Sequence, residues 1–116
     1  MKRLILVLTL LLVSYGTGQA GEQDFTLINN SGRPICDVYI SPDDARDWQE
    51  DLLEGDKYCL ANGEQITITF DRSFKGVKLW DLRVVDNKGR ETIYEDFNLS
   101  RISTITLRRD GTAEYR

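Results

Sequence analysis

Short runs in which apolar and polar residues alternate limit the possible folds of this chain more than any other feature. The clearest run spans Gln65–Phe70. There Ile66, Ile68 and Phe70 share one face, and threonines occupy the other. Similar runs recur roughly ten residues apart, separated by turn residues such as Asn, Asp and Gly. The predicted strands are Phe25–Asn30, Ile35–Ile40, Gln65–Phe70, Val77–Asp86, Glu91–Asn98, Ile102–Arg108 and 112–115. This pattern predicts an all-β fold, a small antiparallel β-sandwich or barrel of six to seven strands.

One helix signal interrupts the strand pattern after the second strand. Ser41 can cap a helix, Pro42 suits its first position, and the acidic residues that follow favour its first turn. We therefore predict one short helix over residues 42–48. Trp48, Leu52 and Leu53 lie at spacings that would anchor this excursion to the core.

The N-terminus has the three parts of a secretory signal peptide. A basic start precedes an apolar run over residues 4–13, and small residues, Gly18 and Ala20, occupy the −3 and −1 positions of a cleavage site. A membrane-spanning helix needs about 20 apolar residues, so the run is too short for a good anchor. We predict a signal peptide at 1–20 and a single β-rich domain at 21–116. The product would be secreted or periplasmic, without stable membrane insertion.

Two cysteines, Cys36 and Cys59, lie in the predicted domain. In an exported protein the default for such a pair is a disulfide bond. Strand alternation places Cys36 on the same face as Val38 and Ile40, so we expect it to point into the core towards Cys59.

Charge and composition exclude several classes of function. The formal net charge of −4 at pH 7 becomes −6 when Lys2 and Arg3 leave with the signal peptide. An acidic chain without a dense Lys/Arg stretch is a poor candidate for nucleic-acid binding. The chain contains no His, which excludes Ser-His-Asp and Cys-His catalysis and the usual zinc ligand sets.

An acidic stretch over residues 43–56 contains seven carboxylates. The simplest interpretation is that these carboxylates form a solvated acidic surface. The alternative is a calcium site with Asp43, Asp44 and Asp47 as candidate ligands, because hard cations prefer oxygen donors. The stretch lacks the ligand order of a helix-loop-helix calcium loop. We expect no other cofactor.

Four further residues form a candidate ligand surface. Asp81 and Arg83 lie two apart on one face of a predicted strand, and Tyr39 and Trp48 could complete a polar patch with them. The alternative is that Asp81 and Arg83 form cross-strand ion pairs that hold the sheet in register. The sequence offers no candidate catalytic residue.

Six segments spread over residues 21–116 follow a recurrent pattern. They are Asn29-Asn30-Ser31-Gly32, Ile35 to Pro42, Trp48 to Leu53, Gly63 to Phe70, Trp80-Asp81-Leu82-Arg83 and Ile102 to Leu107. Together they resemble a family of small exported bacterial β-sandwich domains of uncharacterised function. The resemblance implies an exported β-domain and supplies no activity. Many members of that family carry a cysteine pair where this chain has Lys78 and Ser100, so the resemblance does not imply the Cys36–Cys59 bond.

These observations favour an exported, non-enzymatic binding or interaction module of the cell envelope or extracellular space. Its expected partner is another envelope or extracellular protein. Two alternatives stay open: a structural or accessory envelope protein without a discrete ligand, and an inhibitor of a hydrolase.

Overall fold

Eight β-strands make up most of the described chain. The computed structural model describes residues 4–8, 23–43, 48, 51–53, 59–70 and 76–116. Its strands are β1 (Leu4–Leu8), β2 (Phe25–Asn30), β3 (Ile35–Pro42), β4 (Gln65–Phe70), β5 (Trp80–Asp86), β6 (Glu91–Phe97), β7 (Thr104–Arg108) and β8 (Ala113–Tyr115). Seven of them lie beyond residue 20, as predicted, and β1 lies within the predicted signal peptide. No helix among the described residues is long and apolar enough to cross a membrane.

The strands form two sheets. One has the order β1-β4-β2-β7-β8 and the other the order β3-β5-β6. The all-β prediction is confirmed, and the two sheets are consistent with a small sandwich. The prediction of purely antiparallel pairing is wrong for β2 and β7, which run parallel. Parallel neighbours need a long connection, and here the chain passes through the other sheet before it returns as β7.

The core contains the inward faces predicted from alternation. In β4 the residues Ile66, Ile68 and Phe70 are buried while the residues between them are half-exposed. The ring of Phe70 meets the ring of Trp80 edge to face, with centroids 5.2 Å apart. Because β4 and β5 belong to different sheets, this contact joins the two layers. Trp80 is therefore a core residue at 1% exposure.

The predicted helix after the second strand is not seen. β3 continues to Pro42, which lies opposite Trp80 on β5, and the backbone N–H of Asp43 then donates to Leu79 O at 3.0 Å. Proline is tolerated at this strand end. Residues 41 and 42 therefore pair with β5 as part of the sheet, and Ser41 does not cap a helix. Residues 44–47 of the predicted helix lie outside the described residues.

Segment 51–53 lies along the outer edge of β3. Asp51 Oδ1 accepts hydrogen bonds from the backbone N–H groups of Val38 and Leu53, each at 2.9 Å, and Leu52 N donates to Val38 O at 2.7 Å. Leu52 and Leu53 are buried, which confirms that they anchor the excursion. Within the Trp48 to Leu53 motif, Asp51 thus stabilises the fold by its hydrogen bonds, and the two leucines do so by packing in the core.

A β-bulge at the start of β3 changes the environment of the disulfide bond. Ile35 and Asp37 lie opposite successive residues of β5, so Cys36 is an extra residue in the strand. Ile35 consequently faces the core, at 2% exposure, while Cys36 is half-buried and Cys59 is exposed. The predicted pairing of Cys36 with Cys59 is confirmed. The predicted inward direction of Cys36 is wrong because the bulge breaks the alternation.

Candidate functional site

Four arginines surround a small cavity at one end of the sandwich. Its volume is about 50 Å³, and Arg33, Arg90, Arg108 and Arg109 contribute to its wall. The remaining lining residues are Ser31, Ile35, Val84, Asp86, Thr92, Tyr94, Leu107 and Gly111. The four guanidinium groups and the carboxylate of Asp86 give the lining residues a net charge of +3, and Glu114, outside the lining, pairs with Arg108. The cavity is therefore a positive site on an acidic protein.

The convergence of three turns creates the cavity. β2 and β7 run parallel with Asn30 beside Arg108, so the turns that follow these strands lie next to each other. Ile35 at the start of β3 lies opposite Asp86 at the end of β5, which brings the β5–β6 turn to the same end. Arginines that are far apart in sequence therefore meet only because the two sheets stack.

Asp86 organises the floor of the site. Its Oδ1 accepts hydrogen bonds from the backbone N–H groups of Lys88 at 2.8 Å and Arg90 at 2.9 Å. Its Oδ2 lies 2.8 Å from Arg90 Nε and 3.4 Å from Arg33 Nη1. Burial raises the pKa of Asp86, but the hydrogen bonds from Arg90 and Lys88 and the charge of Arg90 outweigh it and lower the pKa from 3.8 to about 2. The carboxylate is thus ionised at neutral pH and holds two of the arginines.

The arginine side chains keep much of their surface open. The side chains of Arg33, Arg90 and Arg108 are 48%, 55% and 51% exposed, and Arg108 Nη1 also contacts Glu114 Oε1 at 3.0 Å. A guanidinium group carries five N–H donors, so one carboxylate contact leaves donors for a ligand. These three arginines are held in place without being fully neutralised.

Arg109 lies against the backbone of Gly32. A Cβ atom built on Gly32 would lie 2.7 Å from Arg109 Nη1, and Gly32 has a φ of 90°, in the left-handed region. The left-handed turn favours glycine here, and a Cβ atom would displace the end of the flexible Arg109 side chain. Within the described part of the chain, Arg109 makes no ion pair, which makes it the least neutralised cation of the site.

The turn that carries Arg33 is fixed by a buried amide. Asn29 is fully buried, and its Nδ2 donates to Arg33 O at 2.8 Å and to Leu60 O at 3.0 Å. Its Oδ1 accepts from Ser31 N at 3.0 Å and from Ser31 Oγ at 2.6 Å. Every hydrogen-bonding position of the amide is used, so the turn is rigid. This explains the Asn-x-Ser-Gly segment as a support for the site.

Tyr94 also lines the arginine cavity. The side chain is half-buried and packs against the core. Burial raises the pKa of Tyr94 more than the charge of nearby Arg33 lowers it. The hydroxyl therefore stays protonated at neutral pH and can donate a hydrogen bond to an anion.

Of the four residues of the predicted ligand surface, Tyr39 and Arg83 are in contact. Arg83 lies over the ring of Tyr39, with its Cζ 4.7 Å from the centroid, and its Nε lies 3.4 Å from Glu91 Oε2. Asp81 is buried at 2% exposure, and its Oδ1 accepts from Asp96 N at 3.1 Å. Trp48 is half-buried in the connection between β3 and β4. The Arg83–Glu91 contact between β5 and β6 is a cross-strand ion pair of the kind in the alternative interpretation. A ligand role for the four residues stays a prediction.

The predicted cation site is described only in part. Asp43 is exposed at the end of β3, while Asp44 and Asp47 lie outside the described residues. Among the described residues there is no group of three or more His, Cys, Asp or Glu side chains placed to hold a metal ion. Calcium binding by this stretch stays a prediction.

The arginine cavity was not predicted from the sequence. Its signal was available: Arg33, Arg90, Arg108 and Arg109 all lie in or beside turns that contain glycine or asparagine. In sequence they are isolated or paired, so no dense basic stretch appears. Only the position of the turns in space reveals the cluster.

Comparisons with known proteins yield no match. No protein family, curated protein or solved structure is significantly similar to this chain. The resemblance to small exported bacterial domains therefore stays a prediction.

Proposed function

We propose that this protein is an exported, non-enzymatic binding module that holds an anionic group in the arginine cavity. The observation that carries the proposal is the net charge of +3 on the lining of a concave site in an otherwise acidic chain. Such a local excess of cations attracts anions even when the whole molecule repels them.

The chemistry of the cations favours an oxyanion. Guanidinium groups are planar and offer paired N–H donors that match the oxygens of carboxylate, phosphate and sulfate groups. Asp86 holds Arg90 and Arg33 on one side, and Arg109 approaches from the side of Gly32. A bound oxyanion would bridge cations that belong to three different turns.

The size of the cavity limits what enters it. Sites for whole small molecules have volumes of about 300–1,000 Å³. A cavity of about 50 Å³ accepts one carboxylate, phosphate or sulfate group. The ligand is then a larger molecule that presents such a group, and the rest of it lies over the exposed turns. This fits an interaction module better than a pocket that encloses a metabolite.

Export gives this binding activity a location. The N-terminal signal pattern and the Cys36–Cys59 bond are both typical of secreted or periplasmic proteins. The ligand would accordingly be an acidic component of the cell envelope or its surroundings. A partner protein with an exposed carboxylate satisfies this chemistry.

The test is a titration of the exported, disulfide-bonded protein with phosphate, sulfate and acetate at constant ionic strength, followed by NMR. We expect saturable shifts at Arg33, Arg90, Arg108 and Arg109. Arg109→Gln should weaken binding about tenfold, since a charge-assisted hydrogen bond contributes about 1.5–3 kcal/mol. Comparison of the three anions shows whether a planar carboxylate or a tetrahedral group fits better.

Arg101→Gln is the matched control. Arg101 is exposed in the connection between β6 and β7 and does not line the cavity. The same charge change at this position should leave the affinity unaltered. Equal losses for Arg101→Gln and Arg109→Gln, or shifts that never saturate, would reduce the effect to net charge and contradict the proposal.

A further inference from the structure

The free edges of the two sheets differ in how they are protected. β3 is covered by segment 51–53 and by the bridge between Ile35 and Leu60. β6 carries Glu91, Glu95 and Asp96, and β8 has three residues with a glutamate at its centre. Charged residues and short length are the usual means by which sheet edges avoid pairing with other chains.

Among the described residues beyond position 20, β4 has none of these protections on the side away from β2. Its sequence, QITITF, contains no charge, no proline and no glycine, and its Ile and Thr residues favour extended structure. The strand that covers it is β1, which pairs antiparallel with it from Leu4 opposite Phe70 to Leu8 opposite Ile66. β1 lies within residues 1–20. Removal of the predicted signal peptide therefore takes away the cover of the least protected edge.

The backbone groups that β1 covers can be assigned from the opposite side of β4. Phe70 N donates to Asp24 Oδ1 at 2.9 Å, and Glu64 O accepts from Asn29 N at 2.9 Å, so even-numbered residues direct their backbone groups towards β2. In an antiparallel strand alternate residues point to opposite sides. Gln65, Thr67 and Thr69 consequently direct their N–H and C=O groups towards β1.

We propose that a second copy of the chain takes the place of β1, with the two β4 strands paired antiparallel about a two-fold axis. This inference rests on removal of residues 1–20 and is independent of the anion site, since no residue of β4 lines the cavity. A two-fold axis perpendicular to the sheet makes identical strands antiparallel, which is the direction in which this edge already pairs.

Two identical β4 strands can pair in this arrangement without a clash of charge or a change of face. With the axis at Thr67, the two Thr67 residues face each other and Gln65 faces Thr69 of the second copy. All three edge-directed residues then pair, and Ile66 and Ile68 of both copies stay on the core side, because the register preserves the alternation. Self-pairing brings identical residues together, so a charged edge would repel itself. The uncharged β4 does not.

The resulting dimer has one continuous sheet of eight strands, four from each copy. Its central pair is β4 with β4, and each β2, β7 and β8 follows outwards in the order seen in the single chain. The two arginine cavities stay accessible, since their walls come from β3, β5, β6, β7 and the turns between strands. The dimer would thus present two anion sites.

The test starts from the full 116-residue chain, expressed in a host that exports and processes it. Intact mass spectrometry establishes the N-terminus, and sedimentation equilibrium measures the oligomeric state over a range of concentrations. We expect a chain that starts at residue 21 and a concentration-dependent dimer. Thr67→Lys should raise the dimer dissociation constant about tenfold or more, because it places two like charges opposite each other at the axis.

Thr106→Lys is the matched control. Thr106 lies on the same face of the same sheet, two strands from the edge, and is half-exposed as Thr67 is. The same substitution at this position should leave the dimer intact. Equal dissociation in both variants would assign the effect to general loss of stability and overturn the proposal.

Hydrogen exchange in the unaltered protein makes the test independent of how the variants fold. The amides of Gln65, Thr67 and Thr69 should be protected at high protein concentration and lose protection on dilution. A processed chain that stays monomeric, or rapid exchange of these amides at every concentration, would overturn the proposal. A monomer that retains residues 1–20 would overturn it as well, because β1 would then remain the partner of β4.

Discussion

At the scale of single residues, buried and half-buried polar side chains explain the motifs that stand out in the sequence. Asn29, Asp51 and Asp81 each satisfy backbone groups at an irregular point of the fold. Asn29 ties the turn after β2 to Leu60, Asp51 ties the excursion to β3, and Asp81 accepts from Asp96 N. Buried polar groups need such partners, since an unsatisfied one costs about 1–3 kcal/mol. These residues serve the architecture, and the arginines around them are left for binding.

Asp86 makes stability depend on pH at the acidic end. Its pKa is lowered from 3.8 to about 2 by hydrogen bonds and by Arg90. A depressed pKa means that the carboxylate stabilises the fold above its unfolded-state pKa, and that this contribution is lost as pH falls towards 2. We expect the midpoint temperature of thermal unfolding to decrease as the pH is lowered from about 4 to about 2. Asp86→Asn should be less stable at pH 7 and should show a flatter profile.

Thermal unfolding of both proteins from pH 7 to pH 2 checks this prediction. Asp43→Asn is the control, since Asp43 is exposed at a strand end. A variant at Asp86 that follows the unaltered protein over the whole range would show that the carboxylate does not contribute.

At the scale of secondary-structure elements, bulges and side-chain bridges decide where strands bend. Trp80 lies opposite Phe97 but Leu82 lies opposite Tyr94, so β6 has one residue more than β5 in this interval. Asp96 takes a φ of 69° there. Strict alternation would put Phe97 on the face of Ile93, which is exposed; the bulge instead turns Phe97 into the core at 5% exposure.

Asp51 gives a test of how the excursion is held. Asp51→Ala removes the acceptor of two backbone hydrogen bonds and should destabilise the fold by about 1–3 kcal/mol. Asp51→Asn keeps an oxygen at the same position and should lose less. Chemical denaturation of the two variants measures the difference. Equal losses would show that charge, and not the acceptor, accounts for the effect.

At the scale of the whole molecule, the disulfide bond stabilises a domain with a small core. It joins Cys36 at the start of β3 to Cys59, beside the bridge between Leu60 and Ile35. The loop that it closes has a sequence separation of 23. On the chain-entropy account a loop of this length contributes about 3 kcal/mol. The bond therefore supplies a large part of the free energy of unfolding of a domain this small.

The double variant Cys36→Ser with Cys59→Ser tests this contribution. Cys36 is half-buried and Cys59 exposed, so neither position is in the closed core, and serine is a suitable replacement. We expect a loss of about 3 kcal/mol in the free energy of unfolding. Reduction of the unaltered protein should give a similar loss. Denaturation with and without reductant measures both, and a loss below about 1 kcal/mol would contradict the entropic account.

The sequence alone determined the β class, the positions of the strands and the partner of each cysteine. Alternation with a period of two is a local property, so Ile66, Ile68 and Phe70 could be assigned to the core without knowledge of the fold. Strand ends were less accurate: β5 starts at Trp80, not Val77, and β7 at Thr104, not Ile102. The first and last residues of a strand depend on where its partner strand ends.

Tertiary structure decided the remaining features, because they depend on which strands become neighbours. The bulge at Cys36 arises from pairing with β5, and the parallel pair β2–β7 from the passage of the chain through the second sheet. The arginine cavity has the same origin. Arg33, Arg90 and Arg109 are separated in sequence and belong to three turns, and only the stacking of two sheets brings their charges together.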